Sequence, residues 1–140
     1  MRVFLDTSAF ARLLLLDESS RDVVARIWND SQAVIGSELL YPETHAALAC
    51  ARRMRRVSKP KQLELQELLK ELWGDVETIS PDWPLIQIAA DLCSERDLRA
   101  FDAVHLATAL VTRGTVDLFV AADARLLAAA HSEGLVTAEV

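Results

Sequence analysis

The stretch Arg2-Val3-Phe4-Leu5-Asp6-Thr7-Ser8 sets a short apolar run directly before an acid and two hydroxyls. The run shows no polar alternation, which is the pattern of a strand buried on both faces. Ser8 to Leu16 then reads as a helix, so the chain passes from strand to helix at Asp6.

The same passage recurs downstream. Ala33-Val34-Ile35-Gly36 reads as a strand, followed by a helix from about Ser37 to Arg56. Leu118 to Ala121 reads as a strand, followed by a helix from Asp123 to Ser132. Val76 to Ile79 and Leu135 to Val140 are further strands. Helices are expected over Ser20 to Asn29, Lys59 to Trp73, Asp82 to Asp97 and Asp102 to Thr112. Pro84 suits a first helical turn. Short apolar strands alternating with helices predict the α/β class, with a short central parallel sheet flanked by helices in three α/β/α layers.

At 140 residues and 51% hydrophobic, the chain suits one domain, 1–140, with a sizeable core. Four Gly and four Pro, never clustered, mark no linker. No apolar run approaches the ~20 residues of a membrane span. The chain starts directly on a strand, leaving no room for a signal peptide. Cys50 and Cys93 lack metal spacing and read as reduced, semi-buried thiols. These features point to a cytoplasmic protein. The net charge of −6 argues against a generally sticky nucleic-acid binder.

Helices in such folds run antiparallel to the strands they connect. Helix N-termini therefore share an edge with strand C-termini, where ligands bind. Asp6 ends the first strand. Asp123 follows the strand 118–121, Asp102 opens the helix leading into it, and Glu43 lies early in the helix after strand 33–36. All four acids are thus expected at one edge, with no matching basic partner. Taken singly, Asp6, Asp102 and Asp123 are ordinary helix caps. Glu43 is harder to explain, because it sits on an apolar stripe between Leu39-Leu40 and Ala46-Ala47-Cys50. A first-turn Glu favoured by the helix dipole is its bland reading. Together the four make a site for a hard divalent cation with oxygen ligands. Thr7 and Ser8 are placed to orient the carboxylates.

These residues resemble the PIN-domain ribonucleases, especially the VapC-type toxins of toxin–antitoxin pairs. The resemblance covers essentially the whole chain. Its segments are Val3 to Ser8; Ser37-Glu38-Leu39 leading to Glu43 and Ala46-Ala47-Leu48; Asp102-Ala103-Val104-His105-Leu106-Ala107-Thr108-Ala109; and Phe119-Val120-Ala121-Ala122-Asp123. It implies a PIN-like fold in which Asp6, Glu43, Asp102 and Asp123 are catalytic and bind Mg²⁺ or Mn²⁺. It also implies endonucleolytic cleavage of structured RNA such as tRNA or rRNA, a VapB-like antitoxin partner and a homodimer. One position departs from the family pattern: Ala121 stands where Thr or Ser is usual.

The densest basic run, Arg52 to Lys61, reads as a solvated helix end, with phosphate contact as the sharper alternative. Arg12, Arg96 and Arg99 are expected nearer the cleft. His45, His105 and His131 lack zinc spacing. His105, one turn from Asp102, is within reach of the site, with a hydrogen bond within the helix layer as the favoured reading. Trp28, Trp73 and Trp83 are expected to pack between helices, and the leucines of 63–72 to pack in the core, with a dimer mate as the alternative. A receiver domain would need a late Lys, and none follows Lys70; a HAD-like phosphatase would need an acid where Ser8 stands. The remaining alternative is a weak or inactive PIN fold that only binds RNA or protein. Ala121 is the feature that favours it.

Overall fold

The computed structural model describes residues 1–15 and 18–140, without the side chains of 18–20. In chain order it runs β1 (Arg2–Leu5), α1 (Thr7–Leu15), α2 (Glu18–Asp30), β2 (Ala33–Ser37), α3 (Leu40–Arg53) and α4 (Lys59–Trp73). Then come β3 (Val76–Ile79), α5 (Trp83–Arg96), α6 (Ala100–Val111), β4 (Leu118–Ala121), α7 (Ala124–Ser132) and β5 (Thr137–Glu139). The expected first helix ended at Leu16, which lies outside the described residues.

The strands form one parallel sheet in the order β3-β2-β1-β4-β5. Side chains alternate between its faces because the strand period is two. Phe4, Ile35, Phe119 and Ala121 pack toward α5, α6 and α7. Val3, Leu5, Val34 and Val120 pack toward the helices α1 to α4. Phe4 and Phe119 are in register and stack with ring centroids 5.4 Å apart. This double burial explains why the strands read as unbroken apolar runs, and it makes the three expected layers.

Local chemistry sets several boundaries. Ser58 caps α4 by accepting from the Lys61 amide at 3.2 Å, with Pro60 in the first turn. Asp82 caps α5 through the Leu85 amide at 3.0 Å, and Asp97 ends that helix in the left-handed region at φ 53°. Two expectations are corrected here. The helix after β2 begins at Leu40, because Ser37 still belongs to the strand. The helix 102–112 begins at Ala100, so Asp102 is a first-turn residue and not the cap; Arg99 holds the cap position.

β1 sits centrally, with β2 and then β3 on one side and β4 and then β5 on the other. The direction of winding reverses between β1 and β4. Such a switch point opens a crevice beyond the strand C-termini. Asp6 follows β1 and Asp123 follows β4, so both acids stand at that crevice.

Two of the three tryptophans pack as expected. Trp28 lies 5.9 Å from Phe10 and Trp73 lies 5.0 Å from Tyr41, ring centre to ring centre. Trp83 is instead 70% exposed at the start of α5. Among the leucines of α4, Leu65 and Leu69 are buried while Leu63 and Leu68 are exposed, because only one stripe of the helix meets the core. Both cysteines are free and half-buried.

Candidate active site

Each of the four acids is delivered by a helix N-terminus at the C-terminal edge of the sheet. Asp6 precedes α1, and its Oδ1 accepts from the Ala9 amide at 3.0 Å. Asp123 caps α7, its Oδ1 accepting from the Arg125 and Leu126 amides at 2.9 and 3.0 Å. Glu43 and Asp102 lie in the first turns of α3 and α6. The positive end of each helix dipole favours an anion by about 0.3–1 kcal/mol. Four such ends offset part of the repulsion among four carboxylates.

Asp6 is the deepest, at 3% exposure. The Ser8 hydroxyl donates to it, with Oγ 2.7 and 2.9 Å from its two oxygens, and accepts from the Ala122 amide at 2.8 Å. Ser8 thereby ties the end of β1 to the loop after β4. Burial pushes the Asp6 carboxyl above its ordinary value, against the hydrogen bonds from Ala9 and Ser8.

Glu43 is held differently. Its Oε2 accepts from the Thr7 hydroxyl at 2.5 Å and makes a short contact with His105 Nε2. Burial pushes its carboxyl up, but the hydrogen bonds from His105 and Thr7 outweigh burial and hold it below its ordinary value. His105 is itself buried, and its Nε2 also lies 3.1 Å from Thr7 Oγ. Its Nδ1 is buried without a partner among the described residues. That fits a proton on Nε2, directed at Glu43, and a bare lone pair on Nδ1. His105 thus reaches the site, the less favoured of its two readings from sequence, and joins α6 to Glu43 on α3 and to Thr7 on α1. Its position one turn after Asp102 was the only signal.

The acids are not without a basic partner either. Arg99 Nε pairs with Asp102 Oδ2 at 2.8 Å, and its Nη2 lies 3.7 Å from Asp123 Oδ2. Two adjoining hollows meet at this residue. One, of about 500 Å³, is lined by Arg99, Asp102, Ala122, Asp123, Ala124 and Arg125. The other, of about 290 Å³, is lined by Glu43, Arg99, Ala100, Phe101 and Asp102. Arg99 thus stands at the cleft, as expected. Arg96 does not line it and pairs with Glu133 at 2.6 Å. Arg12 and Arg56 line a third hollow with Ser8 and Ala122. Arg56, in the middle of the basic run, therefore reaches the rim of the site, although Arg52 to Arg56 are solvent-exposed as the bland reading required.

The chemistry of the donor set fits Mg²⁺ or Mn²⁺, both of which favour oxygen ligands. Asp6 is a buried carboxylate that no Lys or Arg pairs with among the described residues. Such an anion is costly unless a cation meets it. As the side chains stand, no three of the described His, Cys, Asp and Glu residues are grouped closely enough to hold a metal ion. Glu43 is engaged with His105, and Asp102 and Asp123 with Arg99, so binding would require these partners to yield.

Residues 3–136 match the model of the PIN domain. Ribonuclease VapC45 of Mycobacterium tuberculosis is 34% identical over 133 residues, covering 94% of this chain and 91% of the relative. Among solved structures, Mycobacterium tuberculosis VapC20, described as a Sarcin-Ricin loop cleaving toxin, superposes with a TM-score of 0.68 at 18% identity, covering 99% of both chains. A chain from a toxin–antitoxin complex of Klebsiella pneumoniae gives 0.67 at 17% identity, again over 99% of both chains. The fold and these likenesses agree: the chain belongs to the PIN-domain family, and it is similar over most of its length to ribonucleases named VapC.

Proposed function

We propose that this protein is a divalent-metal-dependent endoribonuclease, the toxin of a VapBC-type pair, hydrolysing phosphodiester bonds in structured RNA such as tRNA or rRNA. The observation that carries this reading is that Asp6, Glu43, Asp102 and Asp123 all lie at helix N-termini along one edge of the sheet, with Asp6 buried and unpaired by Lys or Arg among the described residues. The names of its VapC relatives supply the substrate class, and the solved toxin–antitoxin complexes supply the partner. A VapB-like antitoxin and a homodimeric toxin complete the proposal.

Asp6, Glu43, Asp102 and Asp123 would hold Mg²⁺ or Mn²⁺. When bound, the metal supplies activation of water and charge stabilisation for in-line displacement at phosphorus. Ser8 fixes the Asp6 carboxylate, while Thr7 and His105 fix that of Glu43. These contacts orient the two carboxylates, and the contact of His105 would have to yield for Glu43 to meet the metal. Arg12 and Arg56 at the rim suit phosphates flanking the cut, where contacts position the strand without reading its bases.

The test is Asp6→Asn. This variant should lose RNA cleavage in Mg²⁺ while keeping the wild-type circular-dichroism spectrum. Cleavage at the wild-type rate would overturn the mechanism. Mapping RNA ends after brief expression, beside the same variant, identifies the RNA and the bond.

A further inference from the structure

Arg99 is placed where helix chemistry disfavours it. It occupies the cap position of α6 with extended backbone and makes no side-chain cap bond. Cap positions prefer Ser, Thr, Asp or Asn, and a cation at a helix N-terminus opposes the dipole. Nor does packing explain it, because the side chain is 76% exposed. What its guanidinium does meet is two of the four acids, Asp102 and Asp123, and its charge is also felt by Glu43. It borders both hollows of the site.

An ion pair whose guanidinium is this exposed is weak, so it can be displaced. A guanidinium keeps its charge throughout and is shaped to grip a phosphate through two parallel hydrogen bonds. We infer that Arg99 is a resident counter-cation, neutralising Asp102 and Asp123 before metal arrives and then turning to hold a phosphate of the RNA strand in the hollow beside Glu43 and Phe101. This inference rests on the metal-dependent reading above. Arg99 would act as a positioning residue on the acids and as a binding residue on the substrate. The exchange involves ion pairs alone, with no bond made or broken.

The experiment compares wild type, Arg99→Gln and Arg99→Lys. Mn²⁺ binding is measured by calorimetry without RNA, and RNA cleavage is followed over a range of salt. Loss of the competing cation in Arg99→Gln should tighten Mn²⁺ binding about threefold, the size of a weak exposed ion pair. Arg99→Lys keeps the charge and should leave Mn²⁺ binding unchanged. Both variants should raise KM more than they lower kcat. Arg99→Gln should also reduce the slope of log KM against log salt by about one unit, the signature of one lost phosphate contact. Wild-type Mn²⁺ binding that Arg99→Gln leaves unchanged or weakens would overturn the role of Arg99 alone. A protein that binds no Mn²⁺ in any of the three forms would overturn the metal-dependent reading, and this inference with it. An unchanged KM and salt slope would remove the phosphate contact.

Discussion

Asp6 and Glu43 carry the same charge at the same edge and are tuned in opposite directions. Burial raises the Asp6 carboxyl, so folding disfavours its ionised form. Its favourable contribution is present below its unfolded value, near 3.8, and is lost as pH rises through the higher folded value. Glu43 is held below its unfolded value of 4.5 by His105 and Thr7, despite burial. Its contribution is present above 4.5 and is lost as pH falls through the lower folded value. Metal-free Asp6→Asn should therefore be at least as stable as wild type at neutral pH, with an advantage that shrinks toward pH 4. Metal-free Glu43→Gln should be less stable by about 1.5–3 kcal/mol near neutrality, the worth of hydrogen bonds to a charged group. Its deficit should shrink on acidification. Urea denaturation of the three proteins between pH 3 and 7 checks both signs; parallel curves for the two variants would refute the opposed tuning.

At the level of elements, four helix N-termini are brought to one sheet edge, and β4 is the strand whose end matters most. Ala121, where the family pattern led to an expectation of Thr or Ser, is fully buried among the apolar side chains that face α5, α6 and α7. The link between β1 and the loop after β4 is instead made by Ser8 to the Ala122 amide. A hydroxyl added at position 121 would enter an apolar layer. Ala121→Thr should thus destabilise the protein by about 1–3 kcal/mol through overpacking. An unchanged or raised melting temperature, with tighter Mn²⁺ binding, would show that position 121 serves the site. Much of this level was legible in sequence. The span of α4 was read from the spacing of its leucines, and the order of strands and helices from hydrophobic pattern. Ala100 as the start of α6 was not legible, because an Arg at the cap and an exposed Phe101 give no start signal.

For the molecule as a whole, metal binding and folding are linked. Any ion that binds only the folded state raises stability by mass action, about 2.7 kcal/mol at one hundred times Kd. For a domain of this size each kcal/mol moves the melting temperature by roughly 2–8 °C. Saturating Mg²⁺ or Mn²⁺ should therefore raise Tm by several degrees, and EDTA should reverse the rise. A Tm indifferent to millimolar metal, with and without RNA, would count against the site.

Sequence alone determined the α/β class, the parallel sheet, the order of its elements and the four acids, because burial pattern and helix signals are local. It also placed those acids at one edge, because antiparallel connection of helix and strand leaves them no other. Only the tertiary structure decided what neutralises them. Thr7 and His105 are 98 positions apart and Glu43 and His105 are 62 apart, yet their side chains meet. Contacts over such separations follow from how α1, α3 and α6 pack around the end of β1, and no periodicity within a segment encodes them.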